Sequence, residues 1–210
     1  VTVEMCGGVW LDKPCDTAMY GSKPCLNEFS FDPTTGMSSF CAPSPPPPVS
    51  PPYSDCQFVF SEVRSGTSGL LQLGFVDVKS GTDPASPTNA VSSATNPGGD
   101  PPTGEEPIYA VNSDLTQKWL DRGCCSSTLL LSFSVASQVG YYDLHTANDY
   151  SSRDPVSWDF QCRPSSSSAW VTLDTQTSFA APTARYTSYG GFVVSPFPPV
   201  PPPSPPPPSP

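Results

Sequence analysis

Between residues 55 and 195, short apolar or alternating stretches recur at 57–63, 70–78, 128–135, 139–146, 156–162, 170–173 and 184–189, each rich in β-branched or aromatic side chains. Stretches of this length, bounded by Gly, Pro, Ser, Asn and Asp, predict strands joined by loops. Helical spacing appears only at 115–120 (LTQKWL), which predicts one helical turn. Many short strands with almost no helix predict an all-β fold, a jelly-roll β-sandwich. The stretch 79–107 is long, polar and rich in Gly, Pro, Ser, Thr and Asn, and loops of that length in a compact domain usually carry function or wrap the surface.

Outside this body the periodicity disappears. Proline fills seven of the ten residues 43–52 and eleven of the fifteen residues 196–210. Consecutive prolines fix φ and remove backbone donors, which excludes helix and sheet and predicts polyproline II. At ~3.1 Å per residue the second run makes a semi-rigid rod on the order of 45 Å long. Residues 1–42 carry Cys6, Cys15, Cys25 and Cys41 among turn formers. So short a segment buries little core, so a disulfide-stapled head is predicted, with three connectivities open. The predicted organisation is therefore a head at 1–42, a proline-rich linker at 43–54, the sandwich at 55–195 and a polyproline II tail at 196–210.

The full set of eight cysteines adds Cys56, Cys124, Cys125 and Cys162. An even number, in a chain that starts at Val1 without a charged-plus-apolar leader, sets the expectation of a processed, secreted protein with four disulfides. Because a bridge between adjacent cysteines strains the intervening peptide, Cys124 and Cys125 are expected to pair elsewhere; if residues 55–195 close their own set, one pairs with Cys56 and the other with Cys162. A net charge of -10 with only nine Lys+Arg argues against nucleic acid and anionic membrane surfaces as partners. No apolar run approaches the ~20 residues of a membrane span. His145 is the single histidine, so multi-His metal sites are excluded. Asp143 shares its strand face, but no nucleophile accompanies the pair. No catalytic residue is assigned, and the chain is expected not to be an enzyme.

Two segments carry a family resemblance. Residues 110–119 (AVNSDLTQKW) match an A-x-D-G-x-x-x-T-K-W loop, and residues 146–158 (TANDYSSRDPVSW) match a T-A-N-D-x-x-x-R-D-P-x-S-W segment. Together with WVTLDT at 170–175, the chain resembles discoidin or coagulation-factor C-type domains, the galactose-binding-like jelly rolls. The usual Asp-Gly of the first loop is Asn112-Ser113 here. The resemblance implies a structural Ca²⁺ held by Asn112, Asp114 and Thr116; the competing reading is an Asx-capped turn with Asp114 opening the 115–120 helix. It also implies sugar stacking on Trp119 and Trp158, against which stands the commoner use of sandwich tryptophans as core. Arg153 and Asp154 are expected to brace the loop that holds Asn148 and Asp149. Glu105, Glu106, Asp83 and Asp100 are expected to be a solvated acidic loop.

The proline runs resemble the hydroxyproline-rich extracellular glycoproteins of green algae and plants. That resemblance implies O-glycans on Ser44, Pro45, Pro46, Pro47 and Pro48, and on Pro201, Pro202, Pro203, Ser204, Pro205, Pro206, Pro207 and Pro208. No Asn-x-Ser/Thr sequon is present, so N-glycosylation is not expected. Aromatic grooves bind polyproline at low entropic cost, and Tyr53, Tyr141, Tyr142, Tyr186 and Tyr189 are candidates to build one. Two functions follow as expectations. One is a structural subunit of an extracellular fibre or matrix, assembling head-to-tail with copies of itself and covalent O-glycans. The other is a secreted carbohydrate-binding, lectin-like module on a proline-rich stalk.

Overall fold

A computed structural model of the protein describes residues 29–31, 38–40, 52–67 and 69–194. Most of the head, nearly all of the linker and the tail lie outside them, and so do Cys6, Cys15, Cys25, Cys41 and every proposed glycosylation position. The chain forms two compact units, Val1–Pro48 and Val49–Pro210. In the first, β1 (Phe29–Phe31) pairs antiparallel with β2 (Ser38–Phe40).

The second unit is all-β. Its strands are β3 (Tyr53–Val63), β4 (Gly69–Leu73), β5 (Phe75–Lys79), β6 (Val91–Thr95), β7 (Trp119–Cys124), β8 (Ser127–Ser137), β9 (Tyr141–His145), β10 (Pro155–Arg163), β11 (Val171–Gln176) and β12 (Phe192–Val193). A five-stranded sheet runs in the order β11, β10, β3, β8, β6. A three-stranded sheet, β12, β9, β5, and a ribbon, β4 with β7, complete the unit. All these pairings are antiparallel.

Alternation along β3 turns Phe58 and Phe60 inward. Phe58 meets Tyr142 of β9 edge-on at 5.2 Å, and Phe60 meets Trp119 of β7 at 6.0 Å. Both the three-stranded sheet and the ribbon thus pack on the central strand of the five-stranded sheet. Trp158 of β10 is buried too, and its Nε1–H donates to the Tyr142 hydroxyl at 2.9 Å. That hydroxyl donates to Asp174 at 2.6 Å, and burial pushes its titration far above the ordinary value. Trp119 and Trp158 are therefore core, at 0% and 1% exposed, and neither is a platform for sugar.

Several expected elements shift. The stretch 70–78 divides at Gly74, whose N–H donates to the His145 carbonyl and where a Cβ would stand 2.6 Å from the Thr146 carbonyl oxygen. The 115–120 helix does not form: Asp114 to Lys118 make a turn, and β7 starts at Trp119. The one short helical turn before it is a 3-10 turn at Pro107–Val111. Residues 184–189 are loop, and β12 follows them. Polar VSSAT inside the expected long loop becomes edge strand β6, paired to β8.

The cysteine expectation is overturned. Neighbouring strands β3 and β10 set Cys56 directly opposite Cys162, with Cα atoms 4.0 Å apart, and these two are bridged. Cys124 and Cys125, at the end of β7, pair with each other across a cis peptide. The strand register decides the pairing, because both cysteines of the long-range bridge already face each other in the ladder.

Candidate functional site

The two segments that carry the family resemblance come together at one pole of the second unit. Asn148 Nδ2 donates to the Thr116 carbonyl at 3.3 Å, and Lys118 Nζ reaches Asp149 Oδ1 at 2.6 Å. Lys118 is buried, and a buried ammonium requires compensating acceptors. It has them in Asp149, in Glu105 at 3.4 Å and in the Gln72 side-chain oxygen at 3.3 Å. Glu105 is thus an ion-pair partner and not part of a solvated acidic loop. Gln72, fully buried on β4, uses its amide N–H groups on the carbonyls of Asp149 at 2.7 Å and Tyr150 at 3.0 Å. Its oxygen and nitrogen tie both loops to the body.

A second cation set lies beneath. Asp154 is fully buried and is gripped by both terminal nitrogens of Arg185, one at 2.9 Å. Arg64 stands 3.7 Å from the same carboxylate. Arg185 also donates to the Asp149 carbonyl at 2.8 Å, while Arg64 donates to the carbonyls of Ser151, Ala181 and Pro182. The bracing expected of Arg153 is therefore done by Arg185 and Arg64, which arrive from outside the loop. Arg153 instead lies 4.2 Å over the Tyr150 ring.

Two aromatic side chains stay open to solvent on this rim, beside the exposed polar residues Asn112, Ser113, Asp114, Thr116, Gln117 and Ser152. Tyr150 is 65% exposed and Tyr186 48% exposed. They flank Asp149 and Arg185, which bond each other directly. Of the five tyrosines expected to line a polyproline groove, Tyr53, Tyr141, Tyr142 and Tyr189 are buried, and only Tyr186 is exposed.

No family model, curated protein or solved structure matches the chain.

Asn112, Asp114 and Thr116 build a turn. Asn112 Oδ1 accepts the Asp114 N–H at 3.0 Å, and Asp114 Oδ1 accepts the Thr116 N–H at 3.0 Å and its hydroxyl at 2.6 Å. These Thr116 bonds hold the exposed Asp114 carboxyl below its ordinary value. Calcium asks for six to eight oxygens, and among the described residues no group of three or more His, Cys, Asp or Glu is placed to hold a metal. Asn112 and Asp114 each commit a side-chain oxygen to bonds within the turn, the arrangement of the Asx-turn reading. Asp143 and His145 do share a face, at 3.4 Å, and Ser188 donates to the same Asp143 oxygen at 2.5 Å. Burial opposes ionisation of Asp143, but the bonds from His145 and Ser188 outweigh it and lower its titration. Ser188 and His145 both point at the carboxylate and not at each other, so no hydroxyl is activated by an imidazole.

Lys118 and the Asn148-Asp149 pair lie inside the resemblance segments. Gln72, Arg64 and Arg185 were not signalled. Gln72 sits between Leu71 and Leu73 in a strand buried on both faces, and that polar interruption is the one local clue.

Proposed function

We propose that this chain is a structural subunit of an extracellular glycoprotein fibre or matrix, a jelly-roll body carrying O-glycosylated proline-rich segments. The observation that carries the reading is where those segments join the body. β3 begins at Tyr53, directly after the first run, and Tyr53 pairs with Ser137 at the end of β8. Three residues on, the Gly140 carbonyl accepts the N–H of Val194, the last described residue before the second run. The described residues that adjoin the two proline-rich segments, Tyr53 and Val194, therefore lie at one pole. The opposite end of β3 is tied to the aromatic rim, through the Arg64 N–H bonded to the Asp154 carbonyl. A body whose described chain begins and ends at one pole, with a separate exposed rim at the other, has two unlike ends. Unlike ends favour heterologous contact, which propagates as a filament unless it closes. The Cys56–Cys162 bridge fits an oxidising compartment, and among the described residues no helix is long and apolar enough to cross a membrane.

Electron microscopy of native material tests this: filaments with a regular axial repeat are expected, and dispersed single particles would overturn it. The glycan part has its own readout. Intact mass is expected above 22.2 kDa as a ladder of pentose or hexose steps, and one sharp peak at the peptide mass would remove it.

A second reading, a carbohydrate-binding module of the galactose-binding-like kind, draws support from the exposed Tyr150 and Tyr186 on the rim. A glycan array on monomeric protein tests it.

A further inference from the structure

We propose that the rim formed by Tyr150, Arg153 and Tyr186 is the receptor for the proline-rich tail, residues 196–210, of a second copy of this chain. The inference rests on the fibre reading and names its contact.

Among the described residues the large exposed hydrophobics are Ile108, Val135, Tyr150, Tyr186 and Val193, and the two aromatic ones adjoin Asp149 and Arg185, which are hydrogen-bonded to each other. That rim stands on a fixed base. Gln72 holds the Tyr150 carbonyl, and Arg185, the neighbour of Tyr186, is locked to Asp154 and to the Asp149 carbonyl. Tyr186 adopts φ 58°, a left-handed conformation that a bulky side chain rarely takes. It is kept there from both sides: Thr146 Oγ1 donates to the Ala184 carbonyl at 2.8 Å, and the Thr187 N–H donates back to Thr146 Oγ1 at 2.9 Å. A strained, exposed ring on a braced base is preorganised for contact and adds nothing to the core.

The chemistry of the rim suits polyproline. Proline rings pack on aromatic faces, and a polyproline II backbone has carbonyls without internal partners; Pro196, Pro198 and Pro199 precede Pro201, the first proposed glycan position of the tail, and are the rings offered to the rim. Arg153, already over one face of Tyr150, supplies donors for those carbonyls. The tail contains no charged residue, so it meets the rim of a chain of net charge -10 without repulsion. Topology assigns the tail to another copy. β9 runs from Tyr141 towards the rim and β12 runs antiparallel to it, so the chain leaves at Val194 heading away from its own rim. The five steps from Tyr141 to Thr146 already separate the poles by about 16 Å.

The test uses the full chain. A synthetic peptide of residues 196–210 is titrated into it while the tyrosine ring resonances are followed, and self-association is measured by sedimentation. The expected result is that the peptide shifts the Tyr150 and Tyr186 signals and dissolves assemblies. Tyr150→Ala combined with Tyr186→Asn, asparagine being chosen because it tolerates positive φ, is expected to weaken association at least tenfold with an unchanged thermal midpoint. Arg153→Gln, which keeps both rings, is expected to weaken it severalfold and serves if the double variant does not fold. Unchanged filaments in the folded double variant would overturn the docking while leaving the fibre reading intact. Peptide binding at the rim without any assembly would sustain the docking and sink the fibre reading. Shifts of the same rings by neutral arabino- or galacto-oligosaccharides, with none by the peptide, would overturn the proposal in favour of sugar binding.

Discussion

Asp154 and Asp121 are both carboxylates sealed inside the second unit, at 0% and 1% exposed, yet they are satisfied in opposite ways. Asp154 is held by charge, through the two-point grip of Arg185 and the nearby Arg64. Asp121 is held by neutral donors: the Asp100 N–H at 2.9 Å, the Gly123 N–H at 3.0 Å and the Ser127 hydroxyl at 2.5 Å. Burial opposes the charge on Asp121, but these hydrogen bonds prevail and lower its titration below the ordinary value. The two sites divide the labour. The charged one ties together the loops at 64, 149–154 and 185, which lie far apart in sequence, whereas the neutral one closes the turn between β7 and β8 and fastens the loop at Asp100 to it.

The contrast is sharpest when a cation is removed. Arg185→Met leaves Asp154 buried with Arg64 alone, 3.7 Å away. Breaking a buried pair from one side costs about 3–5 kcal/mol, so urea denaturation is expected to show a loss of that size. A loss below about 1 kcal/mol would mean that Arg64 closes in and carries the carboxylate unaided. Asp121→Asn is the smaller perturbation. It turns an amide N–H₂ toward donors, with an expected cost of about 1–3 kcal/mol at neutral pH. Its pH dependence is diagnostic. The wild-type contribution of a carboxylate with a lowered pKa is full above the unfolded value of 3.8 and is lost as pH falls through the folded value. The gap between wild type and Asp121→Asn should therefore narrow on acidification below that point. A gap that stays constant would show that the carboxylate charge contributes nothing. Ser127→Ala, which removes one of three neutral donors, is expected to cost about 1 kcal/mol, and its thermal midpoint checks this.

The same contrast explains what was legible in the sequence. The stretches 57–63, 128–135 and 156–162 fall inside β3, β8 and β10, because a central strand buried on one face writes its alternation into its residues. VSSAT carries no such signature, since an edge strand paired only to β8 needs no apolar side chains to hold its ladder. LTQKWL reads as helix by spacing, yet Trp119 is drawn into the core against Phe60 and Lys118 into its carboxylates, so tertiary contacts override local propensity. The rim was half legible. Asn148, Asp149 and Arg153 stand in one segment, whereas Arg64 and Arg185 reach it from 87 and 31 residues away, distances over which a sequence carries no pairing signal.

Because the chain enters at Tyr53 and leaves at Val194 on the same pole, tension drawn along it would never cross the rim. Pulled between those two points, the unit is peeled rather than sheared. On the entry side the peel stops almost at once, since Cys56 is covalently fastened to Cys162. On the exit side only the Phe192 and Val193 pairings and the Val194 bond to Gly140 stand in the load path. A stretched thread would shed β12 first and lengthen by a few residues, with the loops at the far pole still folded.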